Sequence, residues 1–161
     1  MIQIRKARPK DRDFIWQIIQ EVIAGGDTYV FDPNSSRDVL LDYWCGVDKH
    51  TYVAEIENVL VGTFLITDNF PDLGSHVANA AYMTLPSAMG KGIGRAMGKF
   101  SLKEAKNLGY RAMQFNIVVK HNKRAISLWQ SLGFEIIGEV PEAFHYRRET
   151  YVDVCIMWRR L

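Results

Sequence analysis

A glycine-rich segment between a predicted strand and a predicted helix constrains this chain most. Residues 86–95 read PSAMGKGIGR, with glycines at positions 90, 92 and 94. Such glycines let the backbone approach a ligand closely and turn several N–H groups in one direction. The N-terminus of the following helix adds partial positive charge, so the segment predicts a phosphate or pyrophosphate site. An ordinary tight strand-to-helix connection is the alternative.

Two familiar phosphate-binding motifs do not fit this segment. The P-loop pattern GxxxxGK[ST] is absent, which argues against a nucleoside triphosphatase. The dinucleotide-binding pattern GxGxxG fails because the glycines here are spaced GxGxG. That pattern also belongs after the first strand of its fold, whereas this segment follows the fourth predicted strand.

The apolar patterns predict a mixed α/β sheet with helices on both faces. In chain order, they indicate strands over residues 2–4, 51–56, 60–67, 77–85, 113–119, 134–140 and 151–158, and helices over 14–22, 39–44, 93–108 and 122–132. Early strands are adjacent in the chain, as in hairpins, and Glu57-Asn58 fits a tight turn between two of them. The middle strands alternate with helices.

The first two helices carry more specific signals. Phe14, Ile15, Ile18, Ile19 and Val22 fall at helical spacing and predict one buried stripe. Ser35 followed by Asp38 resembles a capping box, which predicts the start of the second helix.

Composition excludes several classes of protein. A length of 161 residues predicts one domain over 1–161 with a core of its own. The net charge of +2 gives no strong attraction for nucleic acid. Cys45 and Cys155 lie far apart without metal-binding spacing, so no metal is expected. Without a signal-peptide pattern or a long apolar run, we expect a soluble, cytoplasmic protein with no membrane partner.

A second motif follows the glycine-rich segment. Residues 122–134 read NKRAISLWQSLGF and lie on a predicted helix and the start of the next strand. The two motifs together resemble the GCN5-related N-acetyltransferase (GNAT) family. That family carries [QR]xxGx[GA] after its fourth strand and NxxAxxLYxxxGF after its fifth. The resemblance implies a seven-stranded, mostly antiparallel sheet with a parallel central pair and about four helices on both faces.

The resemblance also implies acetyl-CoA as the acetyl donor and a set of residues that hold it. The pantetheine arm is expected against the backbone of Met83, Thr84 and Leu85, between the fourth and fifth strands. The pyrophosphate is expected on the turn, at Met89, Gly90, Lys91, Gly92, Ile93, Gly94 and Arg95. Met89 departs from the family, which has Arg or Gln there. Asn122 matches a cofactor contact of the family, and a helix N-cap is its alternative role.

Trp129 is the larger departure, because the family has a tyrosine there that acts as general acid. An indole N–H cannot usefully release a proton near neutral pH. The sulfur of the thioester can leave as a thiolate without a protein acid, because a simple thiol has a pKa near ~8.5 and its thiolate is a fair leaving group. Two interpretations of Trp129 are open: it lines the cofactor pocket, or it fills the core.

The expected catalytic residues are Thr84, Asn79 and Asn122. The family places a backbone donor for the reacting oxygen near Thr84. Asn79 and Asn116 are polar residues on the two central strands that can orient an amine or a carboxylate. Residues 76–80, HVANA, are weakly similar to acetyltransferases that act on proline analogues, in which an asparagine on this strand contributes to the site. The acceptor is expected to contact Glu21, Tyr29, Phe31, Asn79, Asn116 and His145.

The leading hypothesis is an acetyl-CoA-dependent N-acetyltransferase. It transfers acetyl to a small or amino-acid-like amine by direct attack in a ternary complex. Acetylation of a protein N-terminus or lysine is one alternative, and a catalytically weak acyl-CoA-binding module, kept open by Trp129, is another. The family often forms dimers, so a homodimer is expected.

Overall fold

The computed structural model describes residues 1–161. Its strands are β1 Ile2–Lys6, β2 His50–Ile56, β3 Val59–Asp68, β4 Val77–Thr84, β5 Ala112–Val119, β6 Glu135–Tyr146 and β7 Thr150–Arg160. Its helices are α1 Arg12–Ile23, α2 Arg37–Trp44, α3 Ile93–Asn107 and α4 Lys123–Ser131. The strands form one sheet in the order β1-β2-β3-β4-β5-β7-β6, and only β4 and β5 are parallel. The predicted seven-stranded mixed sheet with a parallel central pair is confirmed.

The β2–β3 hairpin shows why the early strands are antiparallel. Glu57 and Asn58 both adopt positive φ angles, 52° and 64°. Two residues in this conformation form the type of turn whose twist matches that of paired strands. The predicted tight turn at Glu57-Asn58 is therefore confirmed.

Helices cover both faces of the sheet at its centre. On one face, α1 and α2 pack on β3 and β4 through buried side chains that include Ile15, Trp44, Leu65 and Met83. On the other face, α3 and α4 cover a larger core, which includes Phe64, Met97, Phe115, Trp129 and Met157. Neighbouring residues of one strand, such as Phe64 and Leu65, serve opposite cores because strand side chains alternate.

Two details of the predicted helices are wrong. Phe14 is 54% exposed, because the buried stripe of α1 comprises Ile15, Ile18, Ile19 and Ile23, and its centre lies about 110° from Phe14 around the helix. The N-cap of α2 is Ser36, whose Oγ accepts the Val39 N–H at 3.4 Å, so Ser35 is not the cap.

Strand β6 is longer than predicted. The prediction ended at Val140, but pairing with β7 resumes at Phe144 after an irregularity and continues to Tyr146. Pro141 is tolerated within β6 because this is an edge strand, where a missing N–H breaks no ladder on the open side.

No helix combines the length and the hydropathy needed to cross a bilayer.

The N-terminal strand is fixed to α1 by a buried carboxylate. Asp11, 3% exposed, accepts hydrogen bonds from the Arg5 guanidinium at 2.7 and 3.1 Å and from the Arg8 N–H at 2.7 Å. The hydrogen bonds from Arg5, the largest cause, hold the pKa of Asp11 below its ordinary value. Asp11 therefore stabilises the fold above that ordinary value, and the contribution is lost as pH falls through the lowered pKa.

We expect Asp11→Asn to lower the free energy of unfolding by about 1–3 kcal/mol at neutral pH, because the Arg5 guanidinium loses a charged partner. The difference from wild type should shrink as pH falls below about 4, where the wild-type carboxyl group begins to take up a proton. Urea unfolding between neutral pH and about pH 2 measures this difference in free energy. Asp13→Asn, on the exposed face of α1, is the control. A difference that stays constant down to about pH 2 would contradict this account.

Candidate active site

The two central strands separate soon after they meet. The parallel pairing of β4 and β5 is limited to Val77 with Ala112 and Ala78 with Met113. Beyond these pairs, β4 stays bonded to β3 as far as Thr84, and β5 stays bonded to β7 as far as Val119. A bulge between Phe115 and Val118 interrupts the β5–β7 register. The result is a wedge-shaped cleft between β4 and β5, which we call the β4–β5 cleft.

Strand β4 turns alternate backbone groups into this cleft. The Asn69 N–H bonds to the Val77 carbonyl at 2.8 Å, and the Leu85 N–H bonds to the Val61 carbonyl at 2.9 Å. Because an antiparallel ladder bonds every second residue, these two bonds place the odd-numbered backbone groups of β4 on β3. The N–H and carbonyl groups of Ala80, Tyr82 and Thr84 therefore face the β4–β5 cleft.

This alternation corrects part of the prediction for the cofactor arm. The backbone of Met83 faces β3, and its side chain is buried in the core. Both backbone groups of Leu85 are bonded, since its carbonyl also accepts the Ala88 N–H at 2.9 Å. Of the three predicted residues, only Thr84 presents its backbone to the cleft. The sequence alone does not point to Ala80 and Tyr82, because the direction of their N–H groups follows from the register with β3.

The glycine-rich turn leaves a row of N–H groups free. Residues 90–95 donate no backbone hydrogen bond, and the first bond of α3 runs from the Ala96 N–H to the Gly92 carbonyl at 3.0 Å. Gly90 and Gly92 have φ angles of 84° and 78°, and a Cβ on either would meet nothing within 4 Å. The glycines thus provide a left-handed backbone next to open space. Free N–H groups at the start of a helix form an anion site.

The other residues of the turn have distinct positions. Ile93 is buried and anchors the start of α3 in the core, so only its backbone faces outward. Met89 donates its N–H to the Pro86 carbonyl at 3.2 Å, and its side chain is half-exposed. A Cβ on Gly94 would lie 3.3 Å from Leu128, which shows how closely α3 approaches α4.

Charge supports an anion site at this turn. Lys91 and Arg95 are exposed and form no ion pair. Residues 86–134 contain nine lysines and arginines and a single acidic residue, Glu104. Residues 1–85, by contrast, contain twelve acidic and seven basic side chains. The near-neutral total charge therefore conceals a strongly basic segment around the turn.

The second motif places Asn122 and Trp129 on α4. Asn122 Oδ1 accepts the Ala125 N–H at 3.1 Å, so Asn122 caps the helix. Trp129 is buried, with its ring centroid 4.7 Å from that of Tyr82 and 4.8 Å from that of Phe115. The interpretation of Trp129 as a core residue is confirmed. A contact of either residue with the cofactor stays a prediction.

Tyr29 reaches into the β4–β5 cleft from the loop between α1 and α2. Its hydroxyl accepts the Tyr82 N–H at 2.8 Å and donates to the Tyr82 carbonyl. The ring stacks on Phe31, with centroids 6.2 Å apart, and meets the edge of Trp44 at 6.5 Å. Burial raises the pKa of the Tyr29 hydroxyl above its ordinary value, so the group stays protonated and acts as a donor.

Side-chain amides lie along the two strands on the α1 side. Asn79 Oδ1 accepts the Ala80 N–H at 2.8 Å. Asn116 accepts from Gln114 Nε2 at 2.9 Å and donates to Asn69 Oδ1 at 2.8 Å. Asn79 and Asn116 are predicted site residues, whereas no pattern in the sequence points to Asn69 and Gln114. None of these amides can take up a proton near neutral pH.

The β6–β7 turn holds the loop that carries Tyr29. The Arg147 N–H bonds to the Gly26 carbonyl at 2.7 Å, and its guanidinium lies 3.5 Å from Asp27. The Arg148 guanidinium lies 2.6 Å from both carboxylate oxygens of Asp32. Each exposed pair is worth little alone, but both act on one loop.

Two predicted acceptor residues lie at the surface. Glu21 is exposed on α1 and accepts from Gln17 Nε2 at 3.0 Å. His145 is exposed on β6 and stacks on Tyr151, with ring centroids 4.6 Å apart. No three His, Cys, Asp or Glu side chains are grouped closely enough to hold a metal ion, and the expectation that no metal is needed stays a prediction.

Comparison with known proteins gives a family and similar structures. The sequence model of the acetyltransferase (GNAT) family matches residues 13–134. The N-acetyltransferase aca1 of Schizosaccharomyces pombe is 30% identical over 148 residues, which cover 81% of this chain and 71% of that protein.

Two solved structures illustrate the similarity in fold. A GCN5-related N-acetyltransferase from Kribbella flavida is 38% identical, with a TM-score of 0.93 over 99% of this chain and 98% of that one. A GNAT superfamily phosphinothricin acetyltransferase from Sinorhizobium meliloti, solved in complex with acetyl-CoA, is 22% identical, with a TM-score of 0.88 over 99% and 88% of the two chains. At that identity, the second similarity concerns the fold alone.

Proposed function

This chain belongs to the acetyltransferase (GNAT) family and is an acetyl-CoA-dependent N-acetyltransferase, and we propose that its acceptor is a small or amino-acid-like amine. The amine attacks directly, in a ternary complex. The observation that carries the assignment of the donor is the β4–β5 cleft, which ends beside a turn with free N–H groups. An extended pantetheine arm joined to a diphosphate fits this arrangement.

The chain offers the donor a polar anchor and a backbone edge. Free N–H groups of residues 90–95, with Lys91 and Arg95, bind the pyrophosphate, and the dipole of α3 adds to their charge. The Thr84 backbone, facing the cleft, pairs with the pantetheine arm. Acetyl-CoA supplies an acetyl group activated as a thioester.

We assign the backbone donor for the reacting oxygen to Tyr82 rather than to Thr84. Both N–H groups face the β4–β5 cleft, but Tyr82 lies two residues further from the turn, about 7 Å along the strand. The thioester is the end of the donor farthest from the pyrophosphate, so the deeper N–H suits it better. A fixed N–H aimed at an oxygen that gains negative charge lowers the barrier.

The amides near the cleft orient the acceptor rather than deprotonate it. Asn79 and Asn116 lie on the α1 side of β4 and β5, the face of the sheet on which Tyr29 and Phe31 also pack. Because these amides cannot take up a proton near neutral pH, we assign the loss of the amine's proton to solvent. The rate should therefore rise with pH toward the pKa of the free amine, near ~10 for an alkylammonium group.

An amine-panel assay tests the proposed function. The enzyme is incubated with acetyl-CoA and single amines, including amino acids, polyamines, aminoglycosides and proline analogues, while free CoA thiol is detected. We expect one small-amine class to release thiol well above the rate without amine. Activity only with peptides that have a free N-terminus or lysine would replace the small acceptor by a protein. Thermal stabilisation by acetyl-CoA with no thiol release from any amine would favour the acyl-CoA-binding module.

The proposal includes a cytoplasmic homodimer without nucleic-acid or membrane partners. The homodimer is supported by the edge strand β6, which is twelve residues long and exposed along most of its length. A strand with an unpaired edge is a ready surface for a second chain.

A further inference from the structure

The hydroxyl of Tyr29 occupies a special position in the β4–β5 cleft. It is bonded to both backbone groups of Tyr82, although the two residues lie 53 positions apart in the chain. Tyr82 is bonded to neither neighbouring strand through these groups, since β5 has already diverged and β3 pairs with the odd-numbered residues. A side chain from a loop thus completes the hydrogen bonding of a strand at the centre of the sheet.

The Tyr29 hydroxyl limits which other groups can bind the Tyr82 N–H. The N–H carries one hydrogen, and the Tyr29 oxygen accepts it at 2.8 Å. A ligand oxygen that accepts from the same N–H must take the place of the Tyr29 oxygen. The hydroxyl then gives up its own bonds to Tyr82 and lies beside the ligand oxygen, with a proton to donate.

We propose that the Tyr29 hydroxyl is a second donor to the thioester oxygen, acting together with the Tyr82 N–H. The inference rests on the proposed function, because it takes that N–H as the site of the reacting carbonyl. It assigns Tyr29 a role in the chemical step, beyond the predicted contact with the acceptor.

The surroundings of Tyr29 keep the displaced hydroxyl close to the cleft. Its ring lies between Phe31 and Trp44, and its loop is tied to the β6–β7 turn by Arg147 and Arg148. A small movement of the ring is therefore compatible with the same packing. Burial keeps the hydroxyl protonated, so it donates a hydrogen bond and does not act as a base.

The bonds that form and break in the reaction show why two hydrogen-bond donors at the carbonyl oxygen help. The nitrogen of the neutral amine forms a bond to the acetyl carbon, and the bond from that carbon to sulfur breaks. The nitrogen loses one proton and the sulfur gains one, so the products are the acetamide and the free thiol. Negative charge grows on the carbonyl oxygen as the new bond forms. Two fixed donors at that oxygen stabilise the charge better than one.

The test compares Tyr29→Phe with a matched control, Tyr43→Phe. The first change removes the hydroxyl and keeps the ring that packs on Phe31 and Trp44. Tyr43 lies in the same aromatic group, with its ring centroid 5.3 Å from that of Phe31, but its hydroxyl is not bonded to β4. Melting temperatures of both variants establish that they are folded.

The decisive measurement needs no acceptor. Acetyl-CoA labelled with carbon-13 at the carbonyl is bound to each protein, and infrared difference spectra give the frequency of the thioester carbonyl stretch. We expect Tyr29→Phe to shift this frequency upward from wild type, because the oxygen loses a donor, and Tyr43→Phe to leave it unchanged. With an acceptor in hand, Tyr29→Phe should lower kcat by about 100-fold while the Kd for acetyl-CoA changes little.

Two outcomes would overturn the role of Tyr29. An unchanged carbonyl frequency in Tyr29→Phe, with acetyl-CoA bound, would show that the hydroxyl does not reach the oxygen. If Tyr29→Phe bound acetyl-CoA more tightly and kept its kcat, the Tyr29 hydroxyl would only compete with acetyl-CoA for the Tyr82 N–H. Failure of the proposed function looks different, because wild type itself would then release no thiol with any small amine.

Discussion

Gly92→Glu is expected to weaken binding of acetyl-CoA by at least about 100-fold, equivalent to ~2.7 kcal/mol of binding free energy. Gly92 caps the N-terminus of α3 with a φ angle of 78°. A Cβ there would meet no protein atom within 4 Å, so a longer side chain can project into the space beside the free N–H groups. The new carboxylate would compete for those groups and repel the pyrophosphate.

The change also strains the backbone, and a control separates the two effects. A residue with a Cβ in the left-handed region costs about 1–2 kcal/mol, which lowers stability without necessarily affecting binding. Gly109, beyond the C-terminus of α3, has a φ angle of 93° and equally open surroundings. Gly109→Glu should therefore lose a similar amount of stability and keep its affinity.

Calorimetric titration with acetyl-CoA, together with thermal unfolding, measures both quantities for the two variants. Gly92→Asn is a useful intermediate, because asparagine tolerates the left-handed region and adds no charge. If folded Gly92→Glu bound acetyl-CoA as tightly as Gly109→Glu does, the assignment of the pyrophosphate to this turn would be wrong.

Trp129→Ala should lower the free energy of unfolding by about 3–5 kcal/mol, as large-to-small changes of buried aromatic residues do. The indole is packed against Tyr82, Phe115 and Phe134, with centroid distances of 4.7, 4.8 and 5.9 Å. Gly98 of α3 approaches it so closely that a Cβ there would lie 3.1 Å from the ring. The cavity would lie between two helices and the sheet, where neighbouring elements cannot simply close it.

Urea unfolding measures the loss, and Trp158→Ala on β7 serves as the control because its side chain is only partly buried. Trp129→Phe, which keeps an aromatic ring, should cost less than Trp129→Ala. In the amine assay it should retain kcat within about threefold, because an indole N–H supplies no proton near neutral pH. A large fall in kcat with intact stability would give Trp129 a part in the chemical step.

The sequence by itself determined the family and predicted where the donor binds. Two local motifs can be recognised by their spacing in the sequence, without knowledge of the fold. They are the glycines at positions 90, 92 and 94 and the motif from Asn122 to Phe134. Alternating and helical apolar patterns likewise predicted nearly every element, because periodicity along the chain reflects which face is buried. Errors arose where the buried arc was drawn too wide, as at Phe14, or where two adjacent serines could both cap a helix.

Tertiary structure alone decided which groups face the β4–β5 cleft. The direction of the Tyr82 N–H, and the exclusion of Met83 and Leu85, depend on the register between β3 and β4. The place of the Tyr29 hydroxyl depends on a contact between a loop and a strand 53 residues away. No local pattern encodes either, because hydrogen-bond direction and long-range contact are fixed only when distant segments pack against one another.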